Sequence, residues 1–362
     1  MRFDFERPTR NLARRGRRVA VVLTLAALAC GRSSPERAAE TRLYVSDETG
    51  GNVVVIDPVA ARVVTRIAVG KRPRGIRASR DGARLFVALS GSPIAGPGVD
   101  ESSLPPADRS ADGIGVVDLA TLTLVRTFTS GPDPESFDLS PDGKTLYVSN
   151  EDTAEVSAVD VATGTIRGRV SVGEEPEGVT VRPGGREVYV TSEGTNEVTA
   201  IDTTTLQVVA RIPTAARPRA VVFTTDGATA FVTNENAGVL TVVDAAAHKA
   251  SGTVQIPRTE GTPTPPRPMG MVLSADGREV FTSLGRAGSV AVIDVAGRRV
   301  ARSIERVGAR PWGIGVSGDG RKLYTANGPS GDVSIIDVAT GTVEARVTTG
   351  GSPWGLIVVD AR

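Results

Sequence analysis

From Leu43 onward the chain repeats itself seven times, and this periodicity restricts its fold more than any other feature. An apolar pair followed by Asp recurs at positions 57, 118, 160, 202, 244, 294 and 337, with spacings of 61, 42, 42, 42, 50 and 43. A Pro that usually has Gly or Ala two residues later recurs at 73, 134, 176, 218, 268, 311 and 353. The repeat that starts at Pro176 resolves into four short stretches rich in β-branched residues: Gly178 to Arg182, Glu187 to Thr191, Glu197 to Asp202 and Leu206 to Ile212. Each is bounded by Gly, Pro, Asn or Asp, the pattern of strands joined by hairpins. In five repeats the first turn reads Asp-Gly, at Asp81, Asp142, Asp226, Asp276 and Asp319, a pair that tolerates positive φ.

A four-stranded unit of this size cannot bury both faces alone, so the repeats must pack face to face around an axis. The pattern predicts an all-β, seven-bladed β-propeller with four antiparallel strands, a to d, in each blade. The repeats open with b, c and d strands (Leu43 to Ser46, Val53 to Asp57, Val63 to Val69) and close with a lone a strand, Gly355 to Val359. The C-terminal strand should therefore complete the first blade, closing the ring three-plus-one and removing free sheet edges.

The b strands Leu146-Tyr-Val-Ser-Asn150, Val188-Tyr-Val-Thr191 and Ala230-Phe-Val-Thr-Asn234, with the Ser-Pro-Asp-Gly turn at 140–143, resemble the YVTN-type β-propeller repeat. The resemblance covers residues 42–360. It implies an architecture shared by cell-surface proteins, binding lipoproteins and relatives of the lactonase and haem-d1 propellers, and it does not name a ligand.

Residues 1–29 have the layout of a signal peptide: Arg14, Arg15, Arg17 and Arg18 precede the uncharged run Val19 to Ala29. Cys30, the only cysteine, follows at once, as in the lipobox of bacterial lipoproteins, although Ala27-Leu28-Ala29 departs from the usual Leu-Ala-Gly order and also satisfies an A-x-A cleavage rule. The two Arg pairs resemble a twin-arginine signal weakly. The expectation is an exported protein of the cell envelope or periplasm, lipid-anchored at Cys30, with residues 30–41 as a tether and 42–360 as the propeller. The lipid would be its one contact with the membrane. Without residues 1–29 the chain carries 35 basic and 39 acidic residues, a net charge of about −4, so nucleic acid is not attracted globally.

His248 is the only histidine and falls in a c-to-d turn. A His-dependent triad, a His-rich metal site and His ligation of haem inside the propeller are thereby excluded. Gly143-Lys144-Thr145 mimics the end of a phosphate-binding loop, but Asp138 stands where the loop needs Gly and the tripeptide lies in a hairpin. The seven Asp that end the c strands read as turn caps. Tyr44, Tyr147, Tyr189 and Tyr324 share one b-strand position and read as inter-blade packing.

Strands alternate in direction, so d-to-a connections and b-to-c turns share one face of the disc. Both insertions fall on that face: a b-to-c loop at about Ser90 to Asp112 and a d-to-a connection from Pro257 to Arg267. The residue after each marker Pro should lie there at the channel mouth, giving a ring of Trp354, Arg74, Glu135, Glu177, Arg219, Met269 and Trp312. Asp133 and Glu175 extend an acidic side; Arg72, Arg217, Arg267 and Arg310 add positive charge elsewhere. Trp312, Trp354, Arg74, Glu135, Glu177 and Arg219 are the candidate binding residues, and the absence of paired His and Cys favours binding over catalysis. The first reading is a non-catalytic scaffold that recognises a protein or a small molecule, its tryptophans anchoring the partner or plugging the channel. A second is a lactonase-type enzyme, with Glu135, Glu177 or Asp133 as a general base or as ligands of a hard cation such as Ca²⁺, for which Glu175 is a further candidate ligand. A third, weaker reading is single-stranded nucleic acid on the Trp and Arg cluster.

Overall fold

The computed structural model describes residues 41–94, 103–258 and 265–360. The leader, Cys30 and all of the tether but Thr41 lie outside the described residues. No helix among the described residues is long and apolar enough to cross a membrane.

Twenty-eight strands, from β1 (Arg42–Asp47) to β28 (Pro353–Val359), form seven antiparallel sheets of four. In blade 1 the order is β28, β1, β2 (Asn52–Asp57) and β3 (Arg62–Ala68), so the last strand pairs with the first and the ring closes three-plus-one. The other six blades take their strands in sequence order. Each marker Pro opens its a strand rather than preceding it: the a strand of blade 4 runs Pro176–Val181, and β28 starts two residues before the expected Gly355. Proline fits at that place because the first residue of a strand need not donate to the ladder.

The core consists of the seams between blades. Tyr44 of blade 1 packs with Ile76 and Leu85 of blade 2, and Tyr324 of blade 7 with Leu43 and Val45 of blade 1, which is the packing expected of the repeated tyrosine. The turns follow their chemistry. Gly82, Gly143, Gly227, Gly277 and Gly320 all have φ between 67° and 72°. At the ends of the c strands the Asp carboxylates cap their turns: Asp57 accepts from the N–H groups of Val59 and Ala60, and Asp160 from those of Ala162 and Thr163.

Three local devices seat the ring residues at the channel. First, every a strand carries one extra residue against its b partner between the marker Pro and the third residue after it, as between Pro176 and Val179. A bulge of this kind re-aims a side chain. Second, Gly75, Gly178, Gly270, Gly313 and Gly355 stand where the next blade's ring carbonyl presses in. A Cβ on Gly355 would lie 2.6 Å from the carbonyl oxygen of Arg74, and one on Gly270 2.5 Å from that of Trp312. Third, a b-strand hydroxyl crosses to that carbonyl: Ser46 donates to Arg74 at 2.6 Å, Ser149 to Glu177 at 2.8 Å, Thr191 to Arg219 at 2.9 Å, Thr233 to Met269 at 2.8 Å and Ser283 to Trp312 at 2.8 Å. The Pro-x-Gly marker and the Ser or Thr of the b strand are two halves of one inter-blade joint.

Gly355→Val should destabilise the fold by about 2–3 kcal/mol, the cost of overpacking a tight site, because the Arg74 carbonyl is backbone and cannot yield cheaply. Denaturant unfolding checks this; an unchanged midpoint would show that the blade 1 to blade 2 joint is loose.

Candidate functional site

The ring residues are carried by the a strands, and the turns that lead into those strands are strained. Arg72, Asp133, Glu175, Arg217, Arg267 and Arg310, each immediately before its marker Pro, all have φ between 42° and 61°. That left-handed conformation is unfavourable for side chains with a Cβ, and helical conformations are disfavoured before proline. Its carbonyl is used: Glu151 donates its N–H to Asp133 O at 3.0 Å, Glu193 to Glu175 O at 2.9 Å and Glu235 to Arg217 O at 2.8 Å. The residue that follows strand b is thus pinned beside the ring, and in blades 3, 4 and 5 that residue is a glutamate.

Two buried arginines organise the charged groups. Arg74, 3% exposed, contacts Glu135, reaches Asp133 at 2.6 Å and lies 3.8 Å from Glu151. Arg219 contacts Glu177, and meets Glu193 at 2.7 Å and Glu235 at 2.9 Å. Arg217 adds a 2.6 Å pair to Glu193, and Arg267 a 2.9 Å pair to Glu235. The expected split of the ring into acidic and basic sides is therefore corrected. Each buried cation gathers its own carboxylates, because an unpaired charge at this depth would cost several kcal/mol.

The surroundings drive the carboxyl groups apart. Burial opposes the charge of Asp133, but Arg74 and the Ser90 hydroxyl hold its carboxyl below the usual range. Burial pushes Glu151 up to about 7, with Arg74 opposing and Glu177 and Asp133 adding repulsion. Burial also pushes Glu193 well above the ordinary carboxylate range, helped by repulsion from the charge of Glu177.

Across the ring, Trp312 and Trp354 stack with centroids 5.7 Å apart and planes inclined by 29°. The guanidinium groups of Arg219 and Arg310 lie 5.4 and 4.8 Å from the Trp312 ring centroid. Above the ring is a chamber of about 520 Å³, walled by the tryptophans, the two charge clusters and the blade 2 insertion from Ser92 to Ile94 and Leu104 to Arg109. Below it a smaller cavity of about 150 Å³ runs between the a strands.

Of the expected site residues, Arg74, Glu135, Glu177, Arg219, Trp312 and Trp354 all line the chamber. Asp133 does too, but Glu175 is exposed and offers only its carbonyl to the cluster. The carboxylates that converge within 4.8 Å are Asp133, Glu135 and Glu151, so the expected grouping with Glu175 and Glu177 is not what forms. Arg74 already supplies that trio with positive charge. The sequence reading missed Glu151, Glu193 and Glu235, although Glu recurs after strand b at 48, 151, 193 and 235 in phase with the repeat.

No family model and no curated protein matches the sequence. Among solved structures the fold is similar to the periplasmic gluconolactonase of Pseudomonas aeruginosa, at 19% identity over 89% of this chain and 99% of that one, TM-score 0.71. It is also similar to hydrazine synthase of Kuenenia stuttgartiensis, at 20% identity over 80% of this chain and 95% of that one, TM-score 0.65. A functionally unknown protein of Desulfotomaculum acetoxidans shows 12% identity over 89% and 99%, TM-score 0.73. Likeness at these identities establishes the seven-bladed fold alone.

Two outcomes follow from the charge clusters. Arg74→Met leaves Asp133 and Glu135 buried without their cation and should cost about 3–5 kcal/mol, measured by denaturant unfolding. Glu151 and Glu193 hold protons in the folded state that the unfolded chain releases. Stability from these groups is therefore full at acid pH and is lost as pH rises from about 4.5 through neutrality. The melting temperature should fall between about pH 5 and pH 8, and Glu193→Gln, which mimics the protonated form, should flatten that fall. A melting temperature that climbs over the same range would contradict the assignment.

Proposed function

We propose that this protein is an exported propeller of YVTN type that holds a small cyclic ligand in the mouth chamber. The observation that carries this is the stacked pair Trp312 and Trp354 in the wall of a chamber of about 520 Å³, a volume suited to a small molecule. Tryptophan faces take up flat or sugar-like rings, and the carboxylates opposite accept hydrogen bonds from hydroxyl groups. A concave chamber favours a small ligand over a protein partner. The ring arginines are engaged by carboxylates rather than free for phosphates, which argues against a nucleic-acid strand. Export, with lipid attachment at Cys30, rests on the N-terminal sequence.

A second reading, hydrolysis of a lactone, draws on Glu151. Its carboxyl, raised to about 7, stands at the chamber wall where a general base for neutral pH is needed. Glu151 would take a proton from water as the water oxygen bonds to the lactone carbonyl. The ring C–O bond then breaks, and the departing alkoxide recovers the proton. The likeness in fold to a periplasmic gluconolactonase supports this choice of substrate class.

Both tryptophans of the chain stand in the site, so intrinsic fluorescence reports its occupancy. Trp354→Ala should weaken binding of a ring ligand by about tenfold while shifting the melting temperature by only a few degrees; a collapse of stability instead would make Trp354 a channel plug. On a panel of sugar lactones, turnover should rise through about pH 7 and drop about 100-fold or more in Glu151→Gln. Turnover that survives this substitution removes the hydrolytic reading and leaves the binding reading in place.

A further inference from the structure

The chamber is lined by six arginines, and five of them are neutralised. Arg72 pairs with Glu48 at 2.9 Å, Arg74 with Asp133 at 2.6 Å, Arg109 with Asp112 at 3.2 Å, Arg217 with Glu235 at 3.3 Å and Arg219 with Glu177. The lining carboxylates are likewise engaged, Glu151 through Arg74 and Asp152 through Arg109. Arg310 is the exception among the described residues. It makes no ion pair, and its guanidinium lies 4.8 Å from the Trp312 ring centroid. It is half-buried, and a backbone turn at φ 51° places it immediately before the marker Pro of blade 7. A stacked guanidinium keeps its edge N–H donors free, because the ring engages only its face.

We propose that Arg310 is the anion-binding residue of the chamber: the ligand carries a carboxylate or a phosphate, which takes the free edge of Arg310 while its ring lies against the tryptophans. This rests on the small-ligand reading of the chamber and adds the ligand's charge. Three features support it. The surroundings of Arg310 are short of negative charge, since burial and the nearby cations Arg219, Arg286 and Arg267 disfavour its protonated form and Glu235 is the carboxylate that opposes them. An arriving anion would relieve that imbalance. The other chamber arginines cannot serve without giving up a carboxylate they already hold. Finally, the Trp312 ring already holds the guanidinium, 4.8 Å from its centroid, so a bidentate contact loses little side-chain freedom.

The test is a tryptophan-fluorescence titration of the intact propeller with methyl glucoside, glucuronate and glucose 6-phosphate, which share a pyranose ring and differ in charge. The anionic sugars should bind at least about tenfold more tightly than the neutral one, and Arg310→Gln should abolish that preference, with Arg310→Lys restoring part of it. The stronger of the two anionic ligands tells whether the group is a carboxylate or a phosphate. Equal binding of all three sugars, or a preference that survives Arg310→Gln in a variant with the parental melting temperature, overturns the anion assignment and spares the small-ligand reading. Silence from all three sugars and from the lactone panel overturns both.

Discussion

The contact on which the molecule depends is the one between a ring carbonyl and the blade before it. At Arg74 and Trp312 the carbonyl oxygen enters the space left by a glycine's missing Cβ and accepts a hydroxyl from a b strand. Each such hydrogen bond contributes on the order of 1 kcal/mol. The larger effect is geometric. The joint sets how close two blades come at the channel, and so fixes the circle on which the ring side chains stand. A site assembled from seven separate segments is then as well defined as one carried on a single element.

Arg74 and Arg219 are costly ways to fill that circle. Buried ion clusters are seldom more stable than well-packed apolar groups of the same volume. What they provide is a polar wall that does not collapse: the carboxylates are held apart from one another and around a fixed cation, opposite the flat faces of two tryptophans. The environments also separate the titrations of neighbouring acids. Asp133 is held ionised, whereas burial keeps Glu193 protonated above the ordinary carboxylate range and brings Glu151 to about 7. Carboxyl groups a few ångströms apart therefore have different chemistry available near neutral pH.

The fold was legible because its determinants are local and repeated. Two markers each occurring seven times gave the blade count, and repeats that open with three strands of a blade and close with its fourth implied the closure seen between β28 and β1. The ring positions were legible for the same reason, since the bulge falls at one place in every repeat. Charge pairing was not, because it joins residues from different blades: Arg219 of blade 5 with Glu177 and Glu193 of blade 4. The strained turns hid a further clue. Positive φ usually advertises itself as glycine, yet here Arg and Asp adopt it, so the sequence showed the charges of Arg310 and Asp133 at the channel mouth but not the turn that holds them there. Glu151 was overlooked because in blades 2, 6 and 7 the equivalent residue is Ser90, Gly285 or Gly328, and a pattern kept in only part of the ring reads as noise.

The three-plus-one closure ties the time of folding to the end of the chain. β1 pairs Leu43 with Val358, so one ladder of blade 1 joins residues that synthesis produces at opposite ends of the propeller. Closing a loop of that length costs about 5 kcal/mol in chain entropy, and no part of the ladder can offset it before the last strand emerges. Until then blade 1 is a three-stranded sheet with an open inner edge, and the stack of blades has no fixed circumference. A propeller built this way stays an unfinished spiral while it is being made, and the chamber with its tryptophans comes into being only when the strand that closes the ring arrives.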